Sequence, residues 1–75
     1  MAHEEERAAV LRERLVVWTA IDESAQLSFL ESARFRLELI GIVDRLDKRS
    51  LDPAEALGAL EDLHRRVTSV IAAAL

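Results

Sequence analysis

Turn-forming residues are almost missing from this chain: Gly41 and Gly58 are its only glycines and Pro53 its only proline. A sheet needs tight turns at short intervals, and those turns draw on glycine and proline for their special backbone angles. A chain of 75 residues with so few of them must consist of long elements joined by few bends. It also has no Gly/Ser linker, low-complexity block or repeat of fixed long period. The expected fold class is all-α, a single domain over residues 1–75 built as an antiparallel helical hairpin or three-helix bundle and completed by oligomerisation. Helices are expected over about 4–21, 25–47 and 53–74 from the periodicities below.

The third of these carries the clearest signal. Asp52-Pro53-Ala54-Glu55 combines an N-cap acid, proline at the first helical position and a glutamate three residues after the cap. Leu51 just before the cap is placed to staple onto the first turns. Ala56, Leu60, Leu63, Val67, Val70 and Ala74 then alternate steps of four and three, the a/d seam of a heptad pattern. Leu57, His64 and Ile71 repeat every seven residues beside that seam. The apolar stripe is therefore wider than a two-stranded coiled coil requires, which points to bundle packing.

In the first segment Ala8, Leu11, Leu15 and Trp18 step by three, four and three along one helical face, and Glu4, Glu5 and Glu6 occupy the first turn, where negative charge complements the helix dipole. Trp18, at the end of that stripe, is expected in the core or as an anchor in an interface. The polar cluster Asp22-Glu23-Ser24 marks the first break, although the stripe resumes at Ala25 and Phe29 and leaves one continuous helix as an alternative. Ser28 and Glu31 have capping-box spacing, and a start nearer Ser24 fits equally well.

The middle helix carries two stripes: Phe35, Leu39, Ile42 and Leu46 on one face, Leu30, Ala33, Leu37 and Ile40 on another. Only a narrow charged strip with Glu31, Arg34, Glu38 and Arg45 remains. A helix apolar over most of its circumference is buried on two sides. Helices of the same short chain cover one of them, and a second subunit would cover the rest. Charged and apolar residues also alternate from Arg34 to Ile40, which is a strand pattern, but it spans too few residues to outweigh the helical stripe.

Composition strengthens the case for association. Apolar residues make up 51% of the chain and charged residues 32%. A domain this small has too little interior for so much leucine, isoleucine and valine. Small domains compensate with disulfides, a metal or oligomerisation. Cysteine is absent, and His3 and His64 are too far apart in sequence to form a ligand-spaced pair, so no cofactor or metal is expected and oligomerisation is the remaining device. The expected interface residues are Trp18, Phe29, Phe35, Leu39, Ile42, Leu46, Leu57, His64 and Ile71.

The remaining polar groups invite sharper readings. His64, set among Leu57, Leu60, Val67 and Ile71, would need an orienting carboxylate or a nucleophile to act as a base; Glu61 and Asp62 point elsewhere on the helix, so it reads as a boundary residue of an interface. The run His3-Glu4-Glu5-Glu6 reads as a solvated helix start rather than a metal site. Arg34, Arg36, Arg45, Lys48, Arg49, Arg65 and Arg66 could gather into a basic patch. Acids interrupt them throughout, no aromatics interleave with them, and the net charge is −4, all of which argues against nucleic acid as the partner. No Gly-rich phosphate loop, nucleophile elbow or H-E-x-x-H motif is present.

Residues 2–7 show no secretory pattern, and the longest charge-free run, Val67–Leu75, is far short of the roughly 20 residues a membrane span needs. The expected location is cytoplasmic. The expected function is not enzymatic: a small interaction module that forms a homo-oligomer, with a dimer favoured, and that acts on another protein as adaptor, co-chaperone or regulator. The alternatives are a helix-turn-helix-like nucleic-acid-binding regulator and a small helical enzyme with an inter-subunit site. If the third helix starts where its cap indicates, Asp52→Ala lowers stability by about 1 kcal/mol in chemical denaturation; an unchanged midpoint would move the helix start elsewhere.

Overall fold

The structure is a computed structural model that describes residues 2–75, with side chains described from Glu4 onward. It is all-helical, with α1 at Ala2–Asp22, α2 at Phe29–Asp47 and α3 at Pro53–Ala74. The connections over 23–28 and 48–52 are short, so consecutive helices run antiparallel and α1 lies parallel to α3. Packing is most extensive between α1 and α3 and least between α1 and α2.

The α3 seam forms the spine of the core. Ala56, Leu60, Leu63 and Val67 have no exposed surface, and Val10, Val17 and Ile21 of α1 and Leu39 and Ile42 of α2 close over them. The expected seam ends early: Val70 is only half-buried and Ala74 is exposed. Phe35, Val43 and Leu46 flank the core from α2, and Leu57 and Ile71 flank it from α3. The segment Arg34–Ile40, with its strand-like alternation, lies wholly within α2.

In α1 the stripe expected to face inward does not. Val10, Val17 and Ile21 enter the core, whereas Leu11, Leu15 and Trp18 stay on the surface. At 100° per residue, these three lie about 80–140° round the helix from the core-facing line. The line that does face inward carries a charged residue, Glu13, near its middle, and this hides it in the sequence pattern. Trp18 is therefore not a core residue of this chain.

The boundaries follow from local hydrogen bonds. α1 makes its last helical bond from Glu23 N–H to the Thr19 carbonyl at 2.9 Å. The Ser24 hydroxyl then accepts from the Gln26 N–H two residues on, at 3.3 Å, which makes a turn and not a helix start. α2 begins at Phe29 instead of 25, because Ser28 forms the full capping box. Its hydroxyl accepts from Glu31 N–H at 3.1 Å, and its own N–H donates to Glu31 Oε1 at 3.0 Å. Asp52 and Glu55 repeat the arrangement at α3, with bonds of 2.8 and 3.2 Å and Pro53 at the first position. Leu51, next to that cap, packs against the core.

At the other end of α2, Arg49 has φ 62°, in the left-handed region. Ser50 N–H donates to the Arg45 carbonyl at 2.8 Å and Arg49 N–H to the Leu46 carbonyl at 3.0 Å. This is the Schellman pattern, in which glycine normally occupies the left-handed site. Glycine is missing from that turn and present where the backbone does not ask for it: a Cβ on Gly41 or Gly58 would meet nothing within 4 Å. Neither glycine marks a close helix approach within the chain. Arg49→Gly should raise stability by about 1 kcal/mol by removing the left-handed penalty of a side chain; a drop in the denaturation midpoint would show that the arginine side chain outweighs its backbone cost.

Candidate protein-interaction face

A helix offers a core only one stripe of its surface. Because α1 turns Val10, Val17 and Ile21 inward, its second stripe, Ala8, Leu11, Leu15 and Trp18, lies round the side. Likewise α2 turns Phe35, Leu39, Ile42 and Leu46 inward and leaves Leu30, Ala33, Leu37 and Ile40 outside. The exposure of the large members runs from 43% for Trp18 to 69% for Leu37. Phe29, at the tip of α2, is 91% exposed.

Leu11 and Trp18 of one outer stripe and Ile40 of the other border the shallow contact between α1 and α2. A groove of about 710 Å³ opens there, with Val10, Leu11, Val43, Leu46 and Leu51 as its apolar lining and Arg7, Arg14, Asp47, Arg49 and Asp52 as its polar one. A smaller hollow of about 240 Å³ continues along the same seam between Trp18 and Ile40, with Arg14, Asp44 and Asp47 beside it. Near the C-terminal end of α1 the Arg36 guanidinium stacks over the Trp18 ring at 5.6 Å and bonds Asp22 at 2.8 Å. Arg36 Nε is buried without a hydrogen-bond partner. That cluster covers one face of the tryptophan and leaves the rest open.

The apolar residues expected at an interface divide into three groups. Leu39 and Ile42 belong to the chain's own core and have almost no surface left to offer. Phe35, Leu46, Leu57 and Ile71 are half-buried against that core. Trp18 and Phe29 are exposed, as an anchor would be. Leu11, Leu15, Leu30, Leu37 and Ile40, which are not among those expected at an interface, are also left open by the fold. Their signal lay in the two-stripe pattern of α2, which requires two partners, and in the choice between two possible stripes on α1.

His64 has a partner that spacing could not reveal. Its Nδ1 lies 3.1 Å from Glu13 Oε1 on α1, 51 residues away in sequence. The pair closes the gap that Glu13 leaves in the inward line of α1. A shallow hollow beside it is lined by Glu13, Gly58, Glu61, His64 and Arg65. The histidine thus has an orienting carboxylate, but no hydroxyl or thiol nucleophile lines the hollow.

The arginines do not gather into one patch. Arg66 chelates Glu38 of α2 at 3.1 and 2.7 Å and also reaches Asp62 at 3.1 Å. The bond from Glu38 holds its guanidinium pKa above the usual value. Arg65 pairs with Asp62, Lys48 with Asp44, and Arg45 donates to the Gly41 carbonyl. Among the described residues no cluster of three or more acidic or histidine side chains is arranged to hold a metal, and the side chain of His3 lies outside them. Among the described residues no helix is long and apolar enough to cross a membrane.

No known protein family, curated protein or solved structure matches this chain.

The Arg66–Glu38 clamp ties α2 to α3 at half-exposed positions, where screening limits its strength. Arg66→Ala should lower stability by about 0.5–1 kcal/mol, with most of the difference gone in 1 M salt. Equal losses at low and high salt would show that the side chain acts through packing and not charge.

Proposed function

We propose that this chain is a small helical protein-interaction module, an adaptor, co-chaperone or regulator, that self-associates through its apolar helix faces. The observation that carries the reading is the pair of outer stripes, Leu11–Leu15–Trp18 and Leu30–Leu37–Ile40, both left open on one small domain. Scattered exposed leucines need no explanation, but two stripes at regular helical spacing do. Fully covering one such side chain gains about 1.5–3 kcal/mol, so a few of them suffice to drive association. Trp18 supplies the aromatic anchor that interfaces favour.

The charges support the same reading over nucleic-acid binding. The arginines of α3 and Arg36 are engaged with carboxylates, and the net charge is negative. A module of this kind works by presenting a surface, with no chemical step.

Light scattering across a hundredfold concentration range is the test. The expected mass is twice the 8.4 kDa of one chain. Leu37→Glu, on the outermost part of the α2 stripe, should convert that species to monomer and leave the helical circular dichroism unchanged. A monodisperse monomer at every concentration would overturn the proposal of self-association.

A further inference from the structure

We infer that the α1–α2 face is covered by a second copy of this chain, with α1 of each copy packed antiparallel on α2 of the other about a two-fold axis parallel to the helices. This rests on the self-association proposed above and adds its pairing. The result is a central layer of four helices, each antiparallel to its neighbours, with the two α3 helices outside it.

The first support is placement. Leu11 and Trp18 of the α1 stripe and Ile40 of the α2 stripe line one continuous groove system together with Arg14, Val43 and Asp47, so the seam between α1 and α2 opens an apolar strip to solvent. A closed dimer needs a self-complementary patch, and an antiparallel pair of apolar stripes provides one.

The second support is charge. Arg7 and Arg14 flank the α1 stripe, and among the described residues neither has an ion-pair partner. The α2 stripe continues at the same helical spacing into Asp44 and Asp47. Asp44 holds only an exposed partner, Lys48, and Asp47 has none among the described residues. Within one chain α1 and α2 run antiparallel with Asp22 paired to Arg36, and the same register brings Trp18 level with Ile40 and Arg14 level with Asp44, all four beside one hollow. Rotation about an axis parallel to the helices preserves height. Arg14 therefore comes level with Asp44 of the partner subunit, and Trp18 with Ile40 of the partner subunit. The other face-to-face arrangement, with the axis across the helices, lays α1 on α1. It lays α2 on α2 as well, so the side of α1 that carries Arg7 and Arg14 meets itself and the side of α2 that carries Asp44 and Asp47 meets itself, like-charge contacts that disfavour it.

The third support is size. The molecule measures 41 × 20 × 15 Å. Its broad side has room for the about 800 Å² that each partner buries in a standard interface.

The test is a charge exchange between chains. Arg14 and Asp44 are both exposed, so Arg14→Glu and Asp44→Arg are compatible with the fold, which melting curves verify. Each single variant alone places like charges together twice per dimer, and its dissociation constant should rise about tenfold. Mixed together, the two variants make a heterodimer with one native and one reversed pair, which should bind within about threefold of the unaltered dimer and exceed the half share of random exchange in native mass spectrometry. Each chain of the mixture keeps its own internal mismatch, so the preference reports the contact between chains. Dimers that exchange at random would overturn the pairing and leave self-association standing. Tighter association of Arg14→Glu would overturn it in favour of α1 on α1. An unaltered chain that stays monomeric throughout would overturn self-association, and the pairing with it.

Discussion

Everything in this structure leans on the fully buried seam of α3. Ala56, Leu60, Leu63 and Val67 sit where α1 and α2 converge, and no other element contributes so continuous a line to the core. One helix serves two neighbours because its apolar stripe is wide: Leu57 and Ile71 extend it on the flank. The cost of that economy falls on α1 and α2. Each can turn only one stripe towards α3, and each carries a second that the chain has nothing left to cover. The exposed apolar face is thus a geometric consequence of how three helices share one spine.

Polar contacts then settle how the helices sit along one another. His64 with Glu13 joins α3 to α1, Arg66 with Glu38 joins α3 to α2, and Arg36 with Asp22 joins α2 to α1. All three pairs lie at least partly in water, where single ion pairs contribute little to stability. Their role is better understood as register. A leucine seam tolerates a slip of one heptad, whereas a pairing that must satisfy a carboxylate at the edge of the core tolerates it less. The His64–Glu13 pair is the most informative of the three, because it lets a charged residue stand on the inward line of α1 beside a core that buries no polar side chain among the described residues.

The comparison of pattern with structure turns on particular residues. The cap at Asp52 could be read directly, since a capping box is a contact between residues three apart and needs no tertiary partner, whereas Ser28 competed with a start nearer Ser24 until the structure placed the cap. The α3 seam could be read for a similar reason: it is unbroken and wide. The inward face of α1 could not. Two stripes compete on that helix, and the better-looking one, Leu11–Leu15–Trp18, ends up on the surface while Val10, Val17 and Ile21 pack against α3 around a half-buried Glu13. Leu39 and Ile42 illustrate the same difficulty on α2. Pattern alone shows that two stripes exist and does not show which one this chain keeps for itself; packing of Val10, Val17 and Ile21 against the α3 seam makes that choice on α1.

The sequence by itself therefore determined what is local: all-helical structure from the scarcity of turn residues, the start of α3 from its cap, and a surplus of apolar stripes beyond what one small core can bury. Only the tertiary structure decided which stripes are the surplus, that Glu13 and His64 belong together, and that Leu11, Trp18 and Ile40 of the open stripes border one seam. The physical reason is that periodicity records the angle of a side chain about its own helix axis, while burial depends on where the neighbouring helices stand, and that is set by contacts between residues tens of positions apart.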